Sequence, residues 1–405
     1  MSINLIIAES KCCGCGACSA ACPKKAITMI PNERGGFVFP IIDNTKCIEC
    51  GACEKVCQYH YPCEKNSVKQ VYASAIRDNR IMKSSSGGAF IEIATQFIKS
   101  GGVVFGVKMK RIGNRIFPIH ILVDNISDIE MLQGSKYAQS DMTGVFSQIK
   151  SLLNKNKKVL FSGTPCQVAG LKSYLKKEYN NLFTVDMICH GVPSSKMFND
   201  YLEFLGKKLH GEVIDYKFRD KHLGWGINMR VYFKNKAGKV VEKIIPPEMS
   251  SYFSMFLKSY ITRESCIGCC YASANRMGDI TLGDYWGVNT AHPEEVIAKR
   301  LDYNKGVSCV FVNTAKGQRM FEEYGFEMES VPSEYKVAVR FNSQAEKPVD
   351  APLNRNMVLD AYADGGYYAV DRFYWDLIGM KKYIFYIKNA IPRKIRVYLK
   401  RKLGK

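Results

Sequence analysis

The sequence predicts a mixed α/β (α+β) protein in three parts: a cysteine-dense module at 1–66, a core with a partly parallel sheet at 67–340, and a basic helical extension at 341–405. Three observations predict it. Ten of the 16 cysteines lie between Cys12 and Cys63. Beyond them, short apolar runs alternate with stretches of helical periodicity, the pattern of strands and helices packed in layers. At the far end, Lys381–Lys405 holds ten Lys or Arg residues and no acid, half of the formal charge of +20.

The 405 residues are 46% hydrophobic and 24% charged, which is ordinary for a globular protein and excludes disordered and collagen-like classes. No run reaches the roughly 18 apolar residues that cross a bilayer. Met1–Ser10 has no basic start, no long apolar stretch and no small-residue cleavage site, so the expected compartment is the cytoplasm. In that reducing setting, many cysteines argue for metal ligation over disulfides. Net charge alone does not separate nucleic acid, membrane and acidic protein as partners.

The first element is a cysteine repeat. Cys12-x-x-Cys15-x-x-Cys18-x-x-x-Cys22-Pro23 has the spacing of the bacterial ferredoxin run. Cys47-x-x-Cys50-x-x-Cys53-x-x-x-Cys57 repeats it, and both copies contain Cys-Gly-Ala-Cys. Three close cysteines let one loop wrap three corners of a cubane, while the fourth, read as the start of a short helix, reaches the other cluster. By that rule Cys12, Cys15, Cys18 and Cys57 hold one 4Fe–4S cluster, and Cys47, Cys50, Cys53 and Cys22 hold the second. Zinc is the alternative for Cys-x-x-Cys pairs, but two complete four-cysteine runs in tandem favour iron–sulfur. Cys13 and Cys63 fall outside the spacing and read as spectators. The Cys-x-x-x-Cys-x-x-Cys spacing of radical enzymes does not occur.

The core elements follow in order. A strand at 71–76 leads through Ser84-Ser85-Ser86-Gly87-Gly88 into a helix at 89–99, with apolar residues at 90, 91, 94, 97 and 98. Gly101-Gly102 suits its end, and a strand at 103–108 follows. A strand at 158–161 leads through Ser162-Gly163-Thr164-Pro165-Cys166 to a helix near 167–177. Another at 182–188 leads through Cys189-His190-Gly191-Val192-Pro193 to a further helix. Strand, turn and helix in succession point to parallel strands. The segment 230–241, broken at 235–238, reads as an antiparallel hairpin.

If those strands are parallel, Cys166 and Cys189 emerge at the carboxyl edge of one sheet, where α/β folds place ligands. Cys266-x-x-Cys269 supplies two more thiols for a further cluster, with Cys270 a rival to Cys269. The alternative is that Cys166 and Cys189 are buried apolar residues, the reading given to Cys309 in mid-strand.

Several of these segments, taken together, resemble a known family. They are 84–88, Gly134-Ser135-Lys136-Tyr137, Gly163-Thr164-Pro165-Cys166-Gln167, Cys189-His190-Gly191, and Cys266-x-x-Cys269 followed by 278–286. They are similar to the beta subunit of coenzyme F-420 hydrogenases and dehydrogenases over roughly 72–321, and a fused ferredoxin-like module also occurs in that family. The resemblance implies a flavin, usually FAD with FMN the alternative, beside a 4Fe–4S cluster held by Cys166, Cys189, Cys266 and Cys269, making three clusters in all. It implies hydride exchange between the flavin and coenzyme F-420 or a nicotinamide. The flavin divides the hydride into single electrons that the clusters carry.

Within the core, the resemblance makes Ser86, Gly87, Gly88, Lys136, Gly163, Thr164, His190, Asp279 and Asp284 candidate cofactor contacts. Gly87 and Gly88 would offer N–H groups to a diphosphate, or form a plain helix cap. Lys136 would pair with a phosphate or the ring, or stand in solvent. His190 is the candidate catalytic residue, with a simple backbone hydrogen bond as the alternative. Asp279 and Asp284 are cofactor contacts or turn residues. Phe218-Arg219-Asp220-Lys221, with Gly224-Trp225, is assigned only to a substrate or partner surface.

In the extension, Tyr383, Ile384, Tyr386, Ile387 and Ile391 form one apolar face before Pro392. Ile395, Tyr398, Leu399 and Leu403 form a second among Arg393, Lys394, Arg396, Lys400, Arg401 and Lys402. Such helices suit an anionic membrane surface, with about 1 kcal/mol for each basic side chain near it. A helix packed on the body is the alternative, and nucleic acid is disfavoured. The expected function is an iron–sulfur flavoprotein oxidoreductase. The alternatives are a redox enzyme acting on a sugar or glycan in polysaccharide biosynthesis at the inner membrane face, and an electron-relay subunit serving a redox partner protein.

Overall fold

The computed structural model describes Leu5 and residues 9–391. The second apolar series of the extension, 395–403, lies outside the described residues.

The cysteine module has a short helix in each half, α1 (Ala17–Ala21) and α2 (Ala52–Lys55), around an antiparallel hairpin of β1 (Ile27–Pro31) and β2 (Val38–Ile42). Gly16 and Gly51 enter the helices at φ 79° and 69°. Only glycine adopts that left-handed turn at little cost, which explains the repeated Cys-Gly-Ala-Cys. The fourth cysteine of the first run does not start a helix as expected. Cys22 ends α1 in an extended conformation at ψ 112°, because the following Pro23 disfavours helical geometry at the preceding residue.

The core then runs β3 (Gln70–Ala75), α3 (Ala89–Lys99), β4 (Val103–Ile112), β5 (Arg115–Val123), α4 (Val145–Asn154), β6 (Val159–Ser162), α5 (Pro165–Leu175), β7 (Leu182–Met187) and α6 (Ser195–Lys208). Next come β8 (Gly211–Lys217), β9 (Met229–Asn235), β10 (Val240–Ile245), α7 (Ser251–Leu257), β11 (Ile280–Asp284), β12 (Ser308–Val312), α8 (Ala315–Tyr324) and β13 (Glu329–Ser333). Two helices close the chain, α9 (Arg355–Ile378) and α10 (Lys381–Ala390).

Eight strands form one sheet in the order β13-β3-β12-β11-β7-β6-β4-β5. The central four, β11, β7, β6 and β4, are parallel, and the flanking pairings are antiparallel. Two reversals, from β11 to β12 and from β12 to β3, restore the direction of β3. Its carboxyl end therefore opens on the same edge as those of the parallel strands. α3 covers one face through Ile91, Ile93, Ala94, Phe97 and Ile98, all buried.

The hairpin predicted at 230–241 is β9 with β10, and β8 adds a third antiparallel strand. This small sheet shares a second core with α6, α7 and α9, built on Phe198, Tyr201, Tyr216, Phe218 and Tyr252. Val358, Leu359, Tyr362, Tyr367, Val370 and Tyr374 of α9 are buried in it. Thus α9 belongs to the body rather than to a separate extension, while α10 buries no residue. Phe37 and Phe39 enter the same core and fasten the cysteine module to it.

Candidate redox site

A cleft of about 490 Å³ opens at the carboxyl edge of the parallel strands, where open α/β sheets present their loops. Residues following β3, β6, β7 and β11 line it together with residues from 132–140. Ser86, Gly88, Lys136, Gly163, Thr164, Cys166, Cys189, His190 and Asp284 are all in this lining.

The loop at 84–86 is held from two sides. The Ser85 hydroxyl oxygen accepts from the Ser135 N–H and from the Ser135 hydroxyl, each at 2.7 Å. The Ser85 carbonyl accepts from Arg219 at 3.2 Å and from Trp225 Nε1 at 3.1 Å. The Ser86 carbonyl accepts from Lys221 Nζ at 2.5 Å, and burial pushes this lysine down to about 7. The Ser86 hydroxyl donates to the Val307 carbonyl at 2.7 Å. Trp225 stacks on Trp286 at 4.6 Å and 12°, and the Arg219 guanidinium lies 5.2 Å from the Trp286 ring centre. The segment 218–225, left without a chemical role by the sequence, is the backing of this loop.

The first turn of α3 lines the cleft through Gly88, Ala89, Phe90 and Ile91. The N-cap residue Gly88 has no side chain and turns into the helix at φ 88°, and the Ser308 hydroxyl accepts from the Ala89 N–H at 3.4 Å. A helix N-terminus favours an anion through its dipole and its remaining N–H groups. At α5, Gln167 Oε1 accepts from the Thr164 N–H at 3.0 Å. Gly163 donates to the Val185 carbonyl at 3.1 Å, fixing the turn out of β6. Lys136 Nζ donates to the carbonyls of Leu132 and Gln133 at 2.9 and 2.7 Å, and burial pushes it down to about 7. His190 packs edge-on to Phe256 at 5.2 Å and comes within 3.5 Å of the Ser259 hydroxyl. Burial holds its imidazole below the usual range.

Two of the expected contacts are not at the cleft, and a third is already engaged. Gly87 packs where a Cβ would overlap the Ser74 carbonyl and the Ser308 nitrogen, so its glycine serves strand packing. Asp279 sits at the amino end of β11, on the opposite edge. Its carboxylate accepts from the Thr184 N–H and hydroxyl and from the Thr314 hydroxyl. Asp284 does line the cleft, but Arg219 and Trp225 Nε1 already engage its carboxylate.

The cysteines fall into three neighbourhoods. Cys22, Cys47, Cys50 and Cys53 line one small hollow. Cys18 has Cys12 and Cys57 as electrostatic neighbours, and Cys15 has Cys18. At the cleft, Cys189 and Cys266 both have Cys269 as a neighbour, and so does Cys166. Burial pushes Cys189 up to about 11 and raises Cys18, Cys266 and Cys269. Such thiols stay neutral until a metal displaces their protons, as a ligand set requires. Among the described residues, no three Cys, His, Asp or Glu side chains converge as tightly as a single bound ion needs.

Cys13, which the spacing leaves as a spectator, has a place of its own. It lines the cleft and is held well below the usual thiol range by hydrogen bonds from Cys15 and Cys166. Gly170 on α5 brings the same two groups of cysteines together, since a Cβ there would lie 3.0 Å from Cys15 Sγ.

The family described as the C terminus of the beta subunit of coenzyme F-420 hydrogenase/dehydrogenase matches residues 156–330, and a 4Fe–4S dicluster domain matches residues 11–61. No curated protein matches the chain in sequence. A chain of the F-420-reducing NiFe hydrogenase complex from Methanosarcina barkeri aligns with 74% of this chain and 94% of its own length, at 16% identity and a TM-score of 0.44. The first match takes in Cys166, Cys189, Cys266 and Cys269, and the second takes in both cysteine runs. Residues 156–330, under half of the chain, are therefore similar to the coenzyme F-420 hydrogenase/dehydrogenase beta-subunit family, and residues 11–61 carry a 4Fe–4S dicluster domain.

Proposed function

We propose that this chain is a flavin-dependent iron–sulfur oxidoreductase, exchanging electrons between a hydride carrier of the coenzyme F-420 or nicotinamide type and a redox partner protein. The observation that carries this reading is that Cys166 and Cys189 line the same cleft as the first turn of α3. A flavin bound there would exchange hydride with the carrier and single electrons with the clusters. Gly88 and the first turn of α3 would hold the FAD diphosphate, with Lys136 as its nearby cation. Thr164 and His190 would border the ring. Cys166, Cys189, Cys266 and Cys269 would hold the core cluster, with the Cys12 set next and the Cys47 set farthest out. Cys50 is exposed, which suits an outlet toward a partner.

The test is anaerobic purification with iron and flavin counts, followed by a flavin-reduction screen with coenzyme F-420, NADH, NADPH and reduced ferredoxin. About 12 irons and one flavin per chain are expected. A count of about eight removes the core cluster, and a flavin-free protein overturns the reading.

A second reading concerns location. Tyr383, Ile384, Tyr386 and Ile387 are exposed on α10, beside Lys381, Lys382 and the basic residues that follow. No helix among the described residues is long and apolar enough to cross a membrane. α10 would instead lie in an anionic lipid surface, a setting compatible with a glycan substrate. Flotation with anionic but not zwitterionic vesicles is expected, and loss of flotation in an Ile384→Asp, Ile387→Asp variant.

A further inference from the structure

Among the described residues five arginines are buried: Arg219, Arg230, Arg263, Arg276 and Arg355. Four have a carboxylate within ion-pair distance, namely Asp284, Asp220, Asp186 and Glu264 respectively. Arg263 has no solvent exposure, and its side chain bonds neutral oxygens and the Cys12 thiol but no carboxylate. Nε donates to the Cys12 carbonyl at 2.6 Å, one terminal nitrogen to the Val38 carbonyl at 2.8 Å, and the other to Gln139 Oε1 at 3.1 Å. The guanidinium also lies on the Phe39 ring, 4.3 Å from its centre. The adjacent carboxylate, Glu264, is taken by Arg355.

A buried cation without a counter-charge is costly, and natural folds pair it or remove it. Here the charge, which has no carboxylate and faces cysteine thiols, stands between two groups of cysteines. Its side chain touches the backbone of Cys12, and its own carbonyl accepts from the Cys266 N–H at 3.0 Å. Gln139 braces the same spot, with Nε2 donating to the carbonyls of Cys13 and Gly14 at 3.2 Å each. A cluster ligated by four thiolates is anionic, and reduction adds one more negative charge.

We propose that Arg263 is the counter-charge of the cluster held by Cys12, Cys15, Cys18 and Cys57, and that it biases this cluster, over the outer one, toward its reduced form. The inference rests on the cluster assignment above. Net charge and hydrogen bonding near the sulfurs are among the levers by which proteins set cluster potentials. A fixed cation beside one cluster and away from the other separates their potentials without changing a ligand. Arg263 is thus a positioning residue for electrons, deciding where a single electron rests.

The test compares the full-length chain, purified anaerobically, with Arg263→Met and Arg263→Lys. Iron is counted first, and the clusters are then titrated potentiometrically with EPR detection. In Arg263→Met the Cys12-set cluster should become harder to reduce by tenfold or more, about 59 mV for a one-electron couple, while the outer Cys47-set cluster holds. The core cluster, whose Cys266 also feels Arg263, should shift in the same direction. Arg263→Lys should stay close to wild type. Loss of iron in Arg263→Met but not in Arg263→Lys also supports the charge. Wild-type titration by an iron-replete Arg263→Met overturns the inference. So does matching behaviour of both variants, which would leave only packing and hydrogen bonding. A wild-type protein without the Cys12-set cluster fails the assignment instead, and the iron count distinguishes that case.

Discussion

Arg219 and Asp284 form a two-point ion pair, at 2.8 and 3.2 Å, with their side chains 3% and 15% exposed. The pair joins the end of β11 to the segment that follows β8, so the large sheet and the small one meet at the cleft wall. The same guanidinium reaches the Ser85 carbonyl and, at 3.2 Å, the Tyr137 hydroxyl. One ion pair therefore fixes three loops around the cleft.

Removing one partner strands the other. Asp284→Ala should cost about 3–5 kcal/mol, because a buried guanidinium is left without its carboxylate. Replacing both, as Arg219→Met with Asp284→Leu, should restore most of that stability. Anaerobic denaturant unfolding of the two singles and the double measures the coupling. A stability loss below about 1 kcal/mol in Asp284→Ala would show that the pair behaves as a surface contact.

The cysteine neighbourhoods make a separable prediction. Serine at Cys47, Cys50 or Cys53 should remove about four irons while leaving the other clusters, and serine at Cys166 or Cys189 should remove a different four. Serine at Cys63 or Cys309 should remove none. Cys269→Ser should lose iron where Cys270→Ser does not, since Cys269 and not the exposed Cys270 neighbours Cys189 and Cys266. Iron counts with EPR of each variant decide it, and equal iron in the last two would reject the choice of Cys269.

How much of this was written in the local sequence depends on the range of the interaction. The helix at 89–99 and the strand–turn–helix passages were legible because periodicity and glycine turns act over a few residues. The cysteine runs were legible because one loop wraps three corners of a cluster. Asp279 and Asp284 lie five residues apart in similar turns, and nothing local says that they open on opposite edges of the sheet. Arg219 and Lys221 reach backbone carbonyls more than 130 residues away, and only the folded chain brings them there. Cys13 looked idle because spacing describes one run at a time, whereas its partner Cys166 lies in another domain.

Gly170 marks the contact between those domains. It lies one helical turn beyond Cys166 on α5, and a Cβ there would lie 3.0 Å from both Cβ and Sγ of Cys15. Gly170→Leu should overpack the junction, costing about 1–3 kcal/mol, and lower the occupancy of the Cys12 set. Gly170→Ala needs only a small shift and should be much milder. Thermal unfolding and iron counts measure both effects. A Gly170→Leu protein with full iron and wild-type stability would mean that the ferredoxin domain does not seat on α5 as described.

Lys136 gives the cleft a pH dependence whose direction follows from its environment. Burial pushes the ammonium down to about 7, so in the empty cleft it is charged below that pH and increasingly neutral above it. An anion bound beside it favours the charged form and raises its pKa. Above about pH 7, binding must therefore draw a proton from solution, and affinity falls as pH rises. The diphosphate of FAD stays ionised over this range, so the proton belongs to the protein. Titration of flavin-depleted protein with FAD between about pH 6.5 and 8.5 should show weaker binding at the alkaline end, approaching tenfold per pH unit when one proton is taken up. Lys136→Met should bind more weakly at about pH 6.5 and lose the slope. A wild-type affinity that stays flat with pH would place the diphosphate away from Lys136 and leave the α3 N-terminus as its holder.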